Sequence, residues 1–287
     1  MIAITGANGR LGHALALALH SRGLAEGIRL TTRDPAQAQD LTALGFQVVA
    51  ADFSSPASLD AAFSGVDKLF LISATGATPV RIPLHRNAID AAVRAGVRRI
   101  VYTSRVNPSS SSPYSFAAIH EDSEARIRAS GLVWTFLRNN EFSENLDPWL
   151  EEARRTGVLE YGAKGRIAFV CRQDVIDASI AALTGNGHEG KIYELSGPEA
   201  LDRDQIAAVL SQACGRSIRS SGGSAEDFSA VMAAQGRPDF IVALAAGIYR
   251  ASEAGEWARP SGDPERLTGR APLGLSAYIR SKFAGLE

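Results

Sequence analysis

The first twelve residues, Met1-Ile-Ala-Ile-Thr-Gly-Ala-Asn-Gly-Arg-Leu-Gly12, constrain this chain more than any other stretch. An apolar run from Ile2 to Ile4 breaks at Thr5 into a loop with glycine at 6, 9 and 12, and Leu11 to His20 then reads as helix. At a strand–turn–helix junction of this kind, backbone N–H groups and the positive end of the helix dipole converge on a volume that suits a diphosphate. Gly6 takes the dihedrals of the sharp turn, Gly9 lacks the β-carbon that would block a phosphate, and Gly12 lets the helix lie close on the strand. The spacing predicts a nucleotide cradle formed by Gly6, Asn8, Gly9, Arg10, Leu11 and Gly12. With the first strand starting at Ile2, no room is left for a signal peptide, so a cytoplasmic protein is expected.

Downstream, apolar strand-like runs alternate with helical segments: Ile28 to Arg33, Phe46 to Ala50, Lys68 to Ser73, Arg99 to Thr103 and Leu132 to Leu137. Helices are expected from Asp34, from Ser55 to Phe63, from Pro83 to Ala95, from Ser115 to Ala129 and from Asp147 to Arg155. Ile167 to Val170, Asp174 to Leu183 and Lys191 to Leu195 read as strand, helix, strand. Such alternation predicts an α/β protein, a Rossmann-type doubly wound parallel sheet covered on both faces. Past Pro198 the pattern turns mainly helical. The expected division is a nucleotide-binding core over 1–195, with loop insertions near 105–113 and 140–160, and a smaller C-terminal substrate lobe over 196–287. Four consecutive serines, Ser109 to Ser112, mark the first insertion as a mobile loop.

Charge narrows the partners. The 287 residues carry a formal net charge of −1 with both signs interspersed, which leaves no electrostatic footprint for nucleic acid or an anionic membrane. A small-molecule substrate is expected instead, and a homodimer by base rate. The two cysteines have no metal-type spacing, and no metal is expected.

The end of the second strand normally meets the adenosine ribose, where a carboxylate selects NAD. Here it ends Thr31-Thr32-Arg33, with an arginine where a 2′-phosphate would need one, which favours NADPH over NADH. Against this stands Asp34, which could serve the ribose and leave Arg33 a surface residue. Asp52, just past the third strand, is placed for the adenine amino group, although acids there are also common as helix caps.

On these residues the chain resembles the atypical short-chain dehydrogenase/reductases of the NmrA-like group. Thr5-Gly-Ala-Asn-Gly-Arg-Leu-Gly12 is similar to the group's glycine loop, with Asn8 replacing the usual Thr. His85-Arg-Asn-Ala-Ile-Asp90, Tyr102-Thr-Ser104, Leu137-Arg-Asn139 with Ser143-Glu-Asn145, and Gly187-His-Glu-Gly-Lys-Ile-Tyr-Glu-Leu195 resemble its quinone-reductase and triphenylmethane-reductase subgroup. The resemblance implies hydride transfer from NADPH to a quinone or a related electron-poor small molecule. It also implies that Ser73 and Ala74 approach the nicotinamide ribose, and that Arg138 and Asn139 border the nicotinamide and substrate.

Most short-chain dehydrogenases carry a Tyr-x-x-x-Lys pair, the lysine lowering the tyrosine's pKa. The corresponding stretch here is Phe116-Ala-Ala-Ile-His120, and the tyrosine is gone. A literal match, Tyr278-Ile-Arg-Ser-Lys282, lies too late in the strand order and is read as chance. His120 is then the expected catalytic and cofactor-binding residue, in the lysine's place, with Glu124 one helical turn on to orient it. Its alternative is a surface histidine paired with Glu124. Ser104 is expected to hydrogen-bond a substrate carbonyl, or to act as a turn cap, and Asn139 joins the catalytic set. Asn140, Glu141 and Phe142 are expected to line the substrate pocket, Glu141 making it polar. Two other readings stay open: a non-catalytic NAD(P) sensor, which the missing pair fits, and a sugar-nucleotide epimerase.

Overall fold

The structure is a computed structural model and describes residues 1–160 and 164–284. Alternation governs the chain as far as residue 195. The strands and helices are β1 (Ile2–Ile4), α1 (Arg10–Ser21), β2 (Ile28–Thr32), α2 (Gln39–Ala43), β3 (Gln47–Ala50), α3 (Pro56–Phe63), β4 (Lys68–Leu71) and α4 (Thr78–Arg94). There follow β5 (Arg99–Arg105), α5 (Ala117–Ala129), β6 (Val133–Asn139), α6 (Asp147–Thr156), β7 (Val158–Leu159), α7 (Arg172–Thr184) and β8 (Lys191–Leu195). The remainder is α8 (Arg203–Cys214), β9 (Arg219–Ser220), α9 (Ala225–Ala234), α10 (Asp239–Glu253), α11 (Asp263–Thr268) and α12 (Leu275–Phe283), which makes it mainly helical, as expected.

Seven strands form one sheet in the order β3-β2-β1-β4-β5-β6-β8, and β7 pairs with β9 in a small second sheet. The pairings β1–β2, β1–β4, β2–β3 and β4–β5 are all parallel. At the far edge, Gly190 N–H bonds to the Trp134 carbonyl and Asn140 N–H to that of Leu195, so β6 and β8 also advance together. Strand order reverses between β1 and β4, and in such sheets the ligand crevice lies outside the carboxyl ends of the strands at that reversal. The glycine loop leaves β1 there.

Two compact units make up the chain. The first holds Met1–Ser104, Ile119–Arg138 and Ile176–Tyr193; the second holds Arg105–Ala118, Asn139–Val175 and Glu194–Glu287. Residues 105–118 and 139–175, which include the two expected insertions, thus belong with the C-terminal part. The first unit is built on Leu69, Leu71, Ala88, Ile89, Tyr102 and Phe136, all fully buried. Leu150, Phe169, Leu210, Trp257, Ile279 and Phe283 centre the core of the second. Each large apolar side chain buried in this way stabilises its unit by roughly 1.5–3 kcal/mol.

Three local expectations are corrected. Ile167 to Val170 makes only isolated bridges, Phe142 with Val170 and Ile167 with Leu201, because its backbone groups are divided between two partners. Helix α4 starts at Thr78 with Pro83 inside it. Pro83 resembles a helix start, but the preceding turn is held by buried Arg81. The serine loop is tied at its end: Ser112 donates to Glu256 at 2.6 Å, and Tyr114 packs edge-on against Trp257.

Candidate functional site

In the first unit, the cradle is fixed by backbone geometry. Gly6 has φ +70°, and a β-carbon on Gly12 would stand 2.3 Å from the Gly6 carbonyl oxygen, so nothing larger than glycine fits at 12. Thr5, fully buried, accepts from Ile72 N–H at 2.8 Å, and its own N–H bonds to the Phe70 carbonyl, which moors the loop to β4. Ala7 N–H bonds to the Thr31 carbonyl at 3.0 Å and moors it to β2. Gly9 caps α1 without any side chain, and no acid stands in the first turn. The opening amides of α1 are therefore left for a ligand, and a diphosphate fits this donor set.

Around the adenosine end the expected residues divide. Asn8 donates to the Asp34 carbonyl at 3.0 Å, so its side chain braces the loop. The Asp34 carboxylate takes the N–H of Ala36 at 3.0 Å and the amide of Gln37 at 2.9 Å, capping the turn Pro35–Ala38. That commitment leaves Arg33, exposed at the end of β2, as the residue suited to a 2′-phosphate. Asp52 accepts from both the N–H and the hydroxyl of Ser54 at 2.8 Å. These bonds, with Arg33's charge adding to them, hold its carboxyl below the usual carboxylate range.

Ser73 and Ala74, past β4, belong to a buried polar cluster. Ala74 N–H donates to His85 Nε2 at 2.9 Å, Ser73 N–H to the Thr103 hydroxyl at 2.9 Å, and Arg81 to the Ser73 hydroxyl at 2.5 Å. Burial, and then the Arg81 cation, push His85 down to about 3, so the ring is neutral. His85 Nδ1 lies 2.9 Å from the Ser123 hydroxyl, and the Tyr102 hydroxyl lies 2.9 Å from His120 Nδ1. Burial raises the Tyr102 pKa well above the usual phenol range.

His120 is thus 6 % exposed and held by Tyr102, neither a surface histidine nor a partner of Glu124. The Glu124 carboxylate is engaged elsewhere: by Ser104 at 2.7 Å, Arg128 at 3.0 Å and Arg138 at 2.9 and 2.8 Å. Ser104 accordingly commits its proton to Glu124 and can offer a ligand only lone pairs. Tyr102 and His85 lie in motifs that carry the resemblance but receive no role from sequence, since one resembles strand core and the other helix core. The available signal is the spacing of His85, Ala88, Ile89 and Ala92 on one face of α4.

In the second unit, Asn139 is 7 % exposed and its Oδ1 has no hydrogen-bond partner among the described residues. An orphaned acceptor costs about 1–3 kcal/mol, and a ligand donor would relieve it. The polar atoms of the Asn140 side chain are all engaged: its amide nitrogen donates to Ser196 and to the Trp257 carbonyl, both at 3.0 Å, and its oxygen accepts from Glu141 N–H. Glu141 brings no free charge. Arg105 meets it at 2.9 Å, while stacked 4.4 Å from the Tyr114 ring centre and 4.2 Å from that of Trp257. Phe142 lies under the Arg172 guanidinium at 5.8 Å. Tyr278 and Lys282, the literal Tyr-x-x-x-Lys match, both grip Asp147, at 2.7 and 2.6 Å, a clasp within this unit. Burial, ahead of the Asp147 carboxylate, raises the Tyr278 pKa above the usual phenol range. Among the described residues, no group of three or more His, Cys, Asp or Glu side chains is arranged to hold a metal ion.

Residues 6–186, from the first cradle glycine to just past the end of α7, match the NAD(P)H-binding family. The chain belongs to that family. Quinone oxidoreductase 2 of Escherichia coli (strain K12) is 40% identical over 247 residues, covering 86% of each protein. The NADPH-dependent quinone oxidoreductase of Escherichia coli, solved in complex with NADPH, has a TM-score of 0.92 at 36% identity, over 99% of this chain and all of the other. The triphenylmethane reductase of Citrobacter sp., solved with NADP(H), has a TM-score of 0.89 at 30% identity, over 98% of this chain and 99% of its own. The resemblance carried by the glycine loop and the later motifs therefore extends over nearly the whole chain.

Proposed function

We propose that this protein is an NADPH-dependent reductase that passes hydride to a quinone or a similar electron-poor conjugated small molecule. The observation that carries the reading is the phosphate end of the first unit. There an uncapped helix start lies in a glycine cradle, with Arg33 beyond β2 and the neighbouring Asp34 committed to its own turn. Relatives that reduce quinones or triphenylmethane dyes with the same dinucleotide support the acceptor class. Bound NADPH supplies a hydride from its nicotinamide ring. NADPH, a quinone and one proton yield NADP⁺ and a hydroquinone, the proton coming from solvent.

In sequence, Phe116 and His120 take the positions of the phenol–lysine pair that helps with an ordinary ketone. Hydride addition to a ketone makes a strongly basic alkoxide that needs a positioned acid. A quinone instead gives an aromatic hydroquinone anion that water protonates, so the missing phenol is tolerable. In this reading His120 donates a hydrogen bond to the substrate and the Ser104 oxygen accepts one. Among the described residues no helix is long and apolar enough to cross a membrane. We take the protein to be a cytoplasmic homodimer, which sedimentation equilibrium would test.

The deciding assay follows absorbance at the reduced-nicotinamide band with NADPH or NADH and a panel of benzoquinones, triphenylmethane dyes and simple ketones. Loss of signal with NADPH and a quinone or dye is expected. Efficient turnover of ketones with none of benzoquinones would overturn the acceptor class. NADPH binding without any turnover would put the sensor reading first.

A further inference from the structure

Arg33 is exposed at the end of β2, and its guanidinium makes no hydrogen bond or salt bridge among the described residues. A long, flexible side chain loses rotamer freedom when it closes on a phosphate, and the loss grows if the backbone beneath it has to be ordered at the same time. How the turn that carries Arg33 is held therefore bears on which dinucleotide binds.

Two bonds join that turn to the glycine loop, one on each side of Arg33. Ala7 N–H donates to the Thr31 carbonyl at 3.0 Å. Asn8 Nδ2 donates to the Asp34 carbonyl, also at 3.0 Å. A carbonyl can only accept, so the Asn8 amide has to present its nitrogen there. Gln37 N–H meets the same oxygen at 3.2 Å, which fills both of its lone pairs. The Asp34 carboxylate serves its own turn, through Ala36 and Gln37, and adds no link to the loop. His13 meets Asp40 at 2.6 Å, but that bond joins α1 to α2 beyond the turn. Arg33 is thus bracketed by one backbone bond and one side-chain bond. Asn8 is itself exposed, so its side chain fills no core and the bond is what it contributes.

We propose that Asn8 is a positioning residue for cofactor selection: its bond to the Asp34 carbonyl fixes Arg33 relative to the glycine cradle, so that a dinucleotide seated there meets a guanidinium already placed for a 2′-phosphate. The proposal rests on Arg33 reading that phosphate. NADH carries a hydroxyl at this position and gains little from the placement, so loss of the tether falls mainly on NADPH. A direct contact between Asn8 and the diphosphate, which both dinucleotides share, would be felt by both alike.

The test is fluorescence titration with NADPH and with NADH of the unsubstituted protein, Asn8→Ala, Arg33→Ala and the double variant. Asn8→Ala should lower the NADPH-over-NADH affinity ratio about fivefold, the scale of one neutral hydrogen bond, with most of the change on NADPH. Asn8→Gln, which keeps an amide donor, should recover part of it. In the Arg33→Ala background, Asn8→Ala should lower the ratio no further, because the tether acts through Arg33. Equal losses for the two dinucleotides would overturn the proposal, and so would an effect that adds in full to that of Arg33→Ala. A ratio unmoved by Asn8→Ala but lowered by Arg33→Ala would overturn it while leaving Arg33 as the phosphate reader. A ratio unmoved by Arg33→Ala would remove that reading, and the proposal with it.

Discussion

The turn after β1 and the cluster around α5 are both polar, both sit in the first unit, and are made of different material. The turn is backbone: amides at the start of α1, a left-handed Gly6, and a contact at Gly12 too close for any β-carbon. The cluster is side chain: His85 from α4, Tyr102 from β5, His120 and Ser123 from α5, each satisfied by another. A backbone site tolerates few residue types at a few adjacent positions. A side-chain site tolerates more types at each position, but fails when one hydrogen-bond partner is removed.

The largest expected effect separates the two by pH. The buried His85 titrates near 3 in the folded chain, against about 6.5 in the unfolded one. Between those values the unfolded state binds the extra proton. Stability is therefore fully present above about pH 6.5 and falls by up to about 1.4 kcal/mol per pH unit as acid is added, until the folded ring itself titrates. Urea midpoints for the unsubstituted protein and His85→Gln should converge as pH falls from 7 to 4. A parallel pair of curves would mean that His85 is not held neutral.

Next in size, Gly12→Ala strikes the backbone site. Its β-carbon must push the loop away from Gly6, and overpacking of this kind costs about 1–3 kcal/mol. Fluorescence titration should show NADPH affinity falling about 10- to 100-fold, with the ¹⁵N NMR signals of histidine-labelled protein unchanged. Movement of those signals would show that the two regions are coupled rather than separate.

The smallest effect is confined to one phosphate. Arg33→Ala should lower the NADPH-over-NADH preference by about tenfold, the scale of one lost charge-assisted bond, while kcat with NADH stays the same. An unchanged preference would return Arg33 to the role of a solvated surface residue.

The second unit offers a contrast in electrostatics. Glu141, read from sequence as a polar intrusion, is neutralised by an arginine 36 positions earlier, whose guanidinium packs on two aromatic rings. Asn140 shows the same effect: all its polar atoms are taken by Ser196, Trp257 and its own neighbour. Neither fate was visible locally, because the partners lie up to 117 positions away.

What the sequence determined by itself is whatever depends on neighbours in the chain. The cradle is a string of seven residues whose glycines answer to local dihedrals and contacts. The parallel sheet follows from the spacing of apolar runs, and the choice between Arg33 and Asp34 lies within two positions. Tertiary structure alone decided which acid meets which base. Glu124, one turn from His120 on α5, turned instead to Ser104, Arg128 and Arg138. Tyr102, 18 positions from His120, became the group that holds it. Hydrogen bonds act over about 3 Å in space and are indifferent to separation along the chain, so a rule of helical spacing can propose such a partner but only packing selects it.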